Sequence, residues 1–345
     1  MHRLLPLLSV LLIGTSASAQ ADTRYAPVCV GFFNIENLYD TIDSPDTDDH
    51  EFLPGAPKQW GAARYYRKVE KMAQVISELG TDIHPDGVAC MGLSEIENRT
   101  VLEDLVKAAP LKKRDLRIVH VDGPDRRGVD CAFLYDPKHF AELSHKSYRL
   151  SDPADTSFRS RDQLLVSGLL NGDTTHFIVA HWPSRRGGEK ASQPRRFLAG
   201  KLGRHIADSL LARNPDARVI YMGDLNDDPV DASVKRFLGS SAVKEEAVNG
   251  KFFNPMGDLY RKGIGSLAWN DSWNLFDQIL VSPAIVTGAN GGTRYYATRV
   301  YNKPYLRQAE GNFAGYPFRT FVGDQYMDGY SDHFPVFVTL VKEVK

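Results

Sequence analysis

Val219-Ile220-Tyr221-Met222-Gly223-Asp224-Leu225-Asn226 is a short apolar run that ends in a carboxylate and an amide two residues apart. Its length, its β-branched content and its polar exit read as a buried strand leaving the core. The same pattern recurs along the chain. Asn34 and Glu36 close Phe32-Phe33-Asn34-Ile35-Glu36-Asn37, Glu95 closes Gly92-Leu93-Ser94-Glu95, and His181 closes Ile178-Val179-Ala180-His181-Trp182. Asp332 and His333 stand just before Phe334-Pro335-Val336-Phe337. Asp277 differs, because it lies inside an apolar run, Leu275-Phe276-Asp277-Gln278-Ile279-Leu280-Val281. An unpaired carboxylate there is costly, so Asp277 requires a partner, and a histidine such as His333 suits it.

Residues two apart on a strand share a face, so Asn34 with Glu36, and Asp224 with Asn226, each aim two oxygens at one point. Carboxylates and amides converging on one mouth make an oxygen-rich pocket suited to Mg²⁺ or Mn²⁺. The lack of paired Cys or His ligand spacing argues against structural zinc. Taken singly, an Asp or Asn after a strand is more often a turn or helix-cap residue. Their order along the chain carries the reading.

The surrounding pattern is a loose alternation of strands and helices. Strands are expected at 27–35, 88–95, 117–121, 129–135, 164–170, 176–181, 218–222, 276–282 and 335–341. A helix over 60–79 places Tyr65, Val69, Met72, Ala73 and Ile76 on one face, with Gly80 as its stop. Thr100 is expected to cap a short helix carrying Leu102, Leu105 and Val106. A long helix over 194–212 shows Leu198, Leu202, Ile206 and Leu210 and ends before Asn214-Pro215. Direct strand-to-strand connections among helices predict two packed sheets flanked by helices in one domain. No linker or internal repeat divides the chain.

Composition narrows the class. The 345 residues are 42% hydrophobic and 25% charged, with 28 Gly and 19 Pro, which excludes a disordered or collagen-like chain. Lys and Arg number 42 against 43 Asp and Glu, so no whole-molecule positive field draws the protein onto nucleic acid or an anionic membrane. An anionic ligand must be held by a local cluster. Arg3, the apolar run 4–13 and Ala17-Ser18-Ala19 read as a secretory signal peptide, 1–19, which implies a periplasmic or extracellular protein. That run is shorter than the ~20 residues of a membrane-spanning helix, and no other stretch offers as many, so no transmembrane segment is expected. Cys29, Cys90 and Cys131 sit in strand-like runs, where a thiol packs as a small hydrophobe; one bridge at most is open to them.

The ordered set Phe33-Asn34-Ile35-Glu36, Ser94-Glu95, His181-Trp182, Gly223-Asp224-Leu225-Asn226, Phe276-Asp277-Gln278-Ile279 and Ser331-Asp332-His333 resembles the endonuclease/exonuclease/phosphatase superfamily. That group includes deoxyribonuclease I, abasic-site endonucleases, inositol polyphosphate phosphatases and neutral sphingomyelinases. The resemblance implies a deoxyribonuclease I-like, four-layered α/β sandwich, two packed mixed β-sheets flanked by helices, formed by a single catalytic domain over 20–345 with its site at one edge of the sheets. It implies Glu95 as the main metal ligand, helped by Asn34, Glu36 and Asp332, with Mg²⁺ or Mn²⁺ as the ion. Asp224 would position or deprotonate the attacking water, and Asn226 and His181 would bond the non-bridging phosphoryl oxygens. His333, oriented by Asp277, would stabilise charge or act as general acid/base. Arg161 matches a phosphate-contacting position of nuclease-like relatives.

The activity expected is that of an exported metal-dependent phosphodiesterase, an endonuclease with nucleic acid as substrate and no stable protein partner implied. A phosphatase, a phospholipid or sphingomyelin phosphodiesterase, and a non-catalytic binding module stay open as alternatives. Abasic-site endonucleases carry Trp three residues before the Asp matching Asp277, where this chain has Asn274, which argues against that role. Arg185, on a glycine-rich stretch after His181, is expected to grip a phosphate bidentately. Arg126-Arg127-Gly128 reads as turn chemistry. The insertion between Val281 and Ser331, rich in Tyr and Gly, is expected to rim the substrate groove, with Trp182, Trp269, Trp273 and Tyr260 either stacking bases there or filling the core.

Overall fold

Phe32 and Phe33 are neighbours in the chain, yet they enter different cores. That period of two, repeated on the central strands, builds the architecture. The computed structural model describes residues 24–269 and 271–344, so the expected signal peptide, 1–19, lies outside it. In chain order the strands and helices are β1 (Arg24–Leu38), α1 (Ala62–Glu78), β2 (Val88–Ile96), α2 (Arg99–Lys107), β3 (Arg117–His120), β4 (Asp130–Tyr135), β5 (Phe140–Tyr148), β6 (Gln163–Leu170), β7 (Asp173–His181) and α3 (Glu189–Leu211). They continue with β8 (Arg218–Asp224), β9 (Ser240–Ser241), β10 (Phe252–Phe253), α4 (Met256–Arg261), β11 (Leu267–Trp269), β12 (Ser272–Asn274) and β13 (Asp277–Val281). The last are α5 (Pro283–Thr287), β14 (Arg294–Val300), β15 (Phe321–Val322), β16 (Gln325–Tyr326) and β17 (Val336–Val344).

Two mixed sheets result. One has six strands in the order β14-β17-β1-β2-β4-β3, the other seven in the order β5-β6-β7-β8-β13-β10-β9. Val28, Val30 and Phe32 meet Phe177, Val179, Ile220 and Met222 between the sheets. The alternate residues Phe33 and Ile35 face Met72, Ile76 and Leu105 of α1 and α2. On the far side, Ile178, Val219 and Tyr221 face Ala199, Ile206 and Leu210 of α3. The four layers expected from the sequence are therefore present. Among the described residues, no helix is long and apolar enough to cross a membrane, and all three cysteines are buried and free.

Three local readings change. Asn98, not Thr100, caps α2: its side-chain oxygen accepts the Val101 N–H at 3.1 Å. Helix α3 starts at Glu189 and carries Pro194 inside it, so apolar spacing alone found its body but not its first turn. The strands β5 and β14 escaped the reading because each is an edge strand with polar, exposed positions and no apolar alternation.

Two of the parallel pairs serve the site. β1 runs parallel to β2 with Asn34 opposite Ser94, and β7 runs parallel to β8 with His181 opposite Asp224. Antiparallel β13 sets Asp277 opposite Asp224. The polar strand exits of the two sheets thus reach one edge together. Gly223 permits this, since a Cβ there would stand 2.1 Å from the carbonyl oxygen of Ala180 on the adjacent strand. Gly223→Ala is expected to lower stability by about 1–3 kcal/mol in urea unfolding, because backbone must move to accept the methyl group.

Candidate active site

The strand exits are not regular strand. Glu95 is skipped in the ladders of β2 with both neighbours, between Ser94 and Ile96, and has φ of 63°. It is a bulged residue, a device that re-aims a side chain at a sheet edge. Glu36 and Asn37 (φ 52° each) and Asn226 (φ 50°) also hold left-handed backbone, a conformation non-glycine residues adopt at a cost. Simple alternation therefore ends one residue early on β1 and β8, and the paired-oxygen expectation changes with it. The Oδ1 of Asn34 accepts the Glu36 N–H at 3.0 Å, which turns its Nδ2 onto Asp224 Oδ2, also at 3.0 Å. That bond crosses from one sheet to the other. Asn226 gives its backbone N–H to Asp224 Oδ1 at 3.0 Å and its side-chain Nδ2 to the Trp182 carbonyl at 3.0 Å.

Asp277 has the partner that its apolar surroundings demanded. His333 Nδ1 lies 2.6 Å from Asp277 Oδ2, which also accepts the Ser266 hydroxyl at 2.5 Å. The other imidazole nitrogen, Nε2, stands 3.9 Å from both Asp224 Oδ2 and Asp332 Oδ1. Burial opposes charge on His333, but Asp277 in contact, with Asp332 and Asp224 nearby, outweighs it and holds the imidazole well above its ordinary value. His181 goes the opposite way. Burial, with the charges of Arg161, Arg127 and His333 around it, pushes it well below, so it is neutral. Its Nε2 faces Asp224 Oδ2 at 3.5 Å and Glu95 Oε1 at 3.9 Å, which places the single ring proton on Nε2. Burial raises Asp224 to about 6 against the lowering influence of His333.

Glu95 Oε2 accepts the Asn37 N–H at 2.9 Å, and Arg127 Nη2 lies 3.4 Å from Oε1. Arg127 also reaches Asn37 Oδ1, at 3.2 Å, so this arginine belongs to the site and not merely to a turn. Glu36 turns to Thr320, whose N–H it accepts at 2.7 Å, and to Lys68 Nζ at 3.7 Å. Burial and the charge of Asp332 raise Glu36 to about 7, and burial lowers Lys68 to about 8. Asp332 Oδ2 receives Arg319 at 3.4 Å.

The structure thus gathers Asn34, Glu95, His181, Asp224, Asn226, Asp277, Asp332 and His333 around one edge, with Glu36 on its flank. Arg161 lies beneath, bonding the Trp182 carbonyl at 2.5 Å and Asp125 at 3.1 Å. Arg185 is placed otherwise than a free phosphate grip would need: its guanidinium is held by the Asn226 carbonyl at 2.9 Å, Asp227 at 3.1 Å and Asp231 at 3.0 Å. It secures the loop after Asp224. Arg127 and Lys68 were missed. A lysine amid the apolar positions of an amphipathic helix was a readable signal; Arg127 carried none.

Glu36, Glu95 and Asp332 with the Asn34 amide form an all-oxygen donor set, which fits a hard divalent cation in chemistry. The groups of His, Asp and Glu that lie within 4.8 Å of one another are found elsewhere among the described residues, as His84-Asp86-His139, Asp43-Asp49-His50 and His120-Asp122-Asp130. At the site each carboxylate takes a local donor: Thr320 for Glu36, Asn37 for Glu95 and Arg319 for Asp332.

Ring-nitrogen NMR of the metal-free protein is expected to show His333 keeping both protons well above pH ~6.5, the ordinary imidazole value, and His181 staying neutral below it. Asp277→Asn removes the contact that favours the charged ring, so the His333 titration is expected to fall toward the ordinary value. A His333 that titrates normally in the unsubstituted protein would remove the pairing from the account.

No curated protein matches the chain in sequence. Among solved structures, an endonuclease/exonuclease/phosphatase family protein from Bacteroides thetaiotaomicron superposes with a TM-score of 0.54 at 18% identity, covering 94% of this chain and 98% of that one. A mannosyl-6-phosphatase from the same organism gives 0.52 at 19%, with 91% and 99% covered. D. rerio TDP2 complexed with a single-strand DNA product gives 0.51 at 14%, with 91% and 99% covered. These likenesses show the fold. The pattern of the Endonuclease/Exonuclease/phosphatase family matches residues 29–342, and on that match over nearly the whole chain the protein belongs to this family of phosphoester hydrolases.

Proposed function

We propose that the protein is an exported, divalent-metal-dependent phosphodiesterase that cuts nucleic acid as an endonuclease. The buried Asp277–His333 pair with its free nitrogen 3.9 Å from Asp224 carries the reading. A structural ion pair has no need of a second buried carboxylate on the far side of the imidazole. A hydrolytic site does, because water must lose a proton while negative charge grows on phosphate.

Asp224 is held on both oxygens by Asn34 and the Asn226 N–H, and so presents its carboxylate in one orientation. At about 6 it is ionised at neutral pH yet basic enough to accept the proton of an attacking water. The water oxygen bonds phosphorus, the bond from phosphorus to the leaving oxygen breaks, and Asp224 takes the proton. His333 brings a fixed positive charge to the phosphoryl oxygens, and neutral His181 offers them its Nε2–H. Asp277 fixes the ring of His333 and keeps it charged. A divalent ion held by Glu95, Glu36 and Asp332 with the Asn34 amide oxygen would supply charge compensation on the reacting phosphate.

The sequence features 1–19 support export, and the ordered motifs support the metal. Nucleic acid is favoured by the single-strand DNA product held by the D. rerio neighbour; the mannosyl-6-phosphatase neighbour supports a monoesterase as the second reading.

Purified protein incubated with Mg²⁺ or Mn²⁺ is expected to nick plasmid DNA or RNA and to lose this activity in a chelator. Asp224→Asn and His333→Gln are each expected to lower the rate by about two to four powers of ten with the fold intact by circular dichroism. Turnover of mannose 6-phosphate, inositol phosphates or sphingomyelin alone would reassign the substrate, and absence of any turnover would leave a binding module.

A further inference from the structure

Phe334, the residue after His333, begins a run of rings that leads out of the site. Trp273 lies flat against it, with centroids 6.1 Å apart and planes 20° off parallel. Tyr316 meets Trp273 edge-on at 5.3 Å, and Phe313 follows at 5.9 Å. Phe313 and Tyr316 then wall a cavity of about 230 Å³ whose opposite limits are Val322, Met327, Arg319 and Asp332. The expected metal-site carboxylate is therefore also a wall of this cavity. Most of its lining comes from the insertion between Val281 and Ser331, which also sends Thr320 to Glu36 and Arg319 to Asp332.

Large apolar groups at its mouth are uncovered: Phe313 is 53% exposed and Val322 43%. Clustered exposure of this kind marks a binding surface. Two of the walls, Phe313 and Tyr316, are aromatic rings, against which a flat guest packs best. Gln308, Arg319 and Asp271 supply donors and acceptors at the rim. An acyl chain would strip water from these polar groups and give nothing back. A ring with hydrogen-bonding edges satisfies them.

We infer that this cavity seats the nucleobase next to the scissile phosphate, so that the protein prefers nucleotide esters over sugar phosphates. The inference rests on the phosphodiesterase reading for where the phosphate lies. Tyr316 and Phe313 set specificity by stacking, and Trp273, itself backed by Phe334, holds Tyr316 in place.

Calorimetry on the full chain with Mg²⁺ tests it, using AMP and ribose 5-phosphate, which differ by the base alone. AMP is expected to bind about tenfold or more tightly than ribose 5-phosphate. Tyr316→Leu, which keeps apolar volume but removes the ring, and Phe313→Ala are each expected to erase most of that difference and leave ribose 5-phosphate unchanged; Tyr316→Phe is expected to retain it. Equal binding of the two ligands by the unsubstituted protein, absence of binding by both, or variants that weaken both ligands alike would overturn the subsite. Binding is read without turnover, so a protein that hydrolyses no phosphoester yet still prefers AMP would sink the phosphodiesterase reading and keep the base pocket.

Discussion

Asp277 is a fully buried carboxylate at the first position of β13. Taking such a group out of water is costly, and the rest of the site is arranged to meet that cost. Ser266 and His333 both converge on its Oδ2. Ser266 in turn accepts the Phe334 N–H on its carbonyl at 2.7 Å. The seven-stranded sheet is thereby tied, through one oxygen, to the segment that enters β17 of the other sheet. Asn34 and Asp224 make a second tie across the same edge. The two sheets are elsewhere joined by apolar packing, which fixes their distance but is indifferent to small slips. These polar ties fix the registration that catalysis requires.

The fold was legible because its strands are buried on both faces. Runs such as Val28 to Phe33 and Val219 to Met222 have no polar side, so only layers above and below can satisfy them. The pairing of Asp277 with His333 was legible for the same reason, since an apolar run gives a carboxylate few choices. Legibility failed where backbone departs from period two. Nothing in Gly92-Leu93-Ser94-Glu95 announces a bulge, and nothing in Asn34-Ile35-Glu36 says that Glu36 turns aside to Thr320, 284 positions away. The polar edge strands β5 and β14 failed likewise, being held by backbone bonds that leave no mark in side-chain pattern. Arg185 illustrates a different limit. Its closeness to His181 in sequence suggested a phosphate grip, but Asp227 and Asp231 follow Asp224 and claim the guanidinium first.

Charge explains how a molecule with a formal net charge of −1 can treat an anionic substrate as a ligand. The site edge gathers the carboxylates Glu36, Glu95, Asp224, Asp277 and Asp332 with the cations Lys68, Arg127, Arg161, Arg319 and His333. None of these cations stands alone: Arg161 is held by Asp125, Arg127 by Glu95, Lys68 by Glu36 and Arg319 by Asp332. A phosphate approaching this edge meets paired charges rather than a positive field, so affinity must come from exchange of partners. Glu36 and Asp224 are raised to about 7 and about 6 because burial disfavours their charge and the neighbouring cations do not fully offset it. The edge is therefore short of positive charge on its acidic side. Glu95, Glu36, Asp332 and Asn34 would hold a divalent cation there, which would supply the missing positive charge. His333, committed to its charged form by Asp277, is the cation that the other side of the edge presents to phosphate.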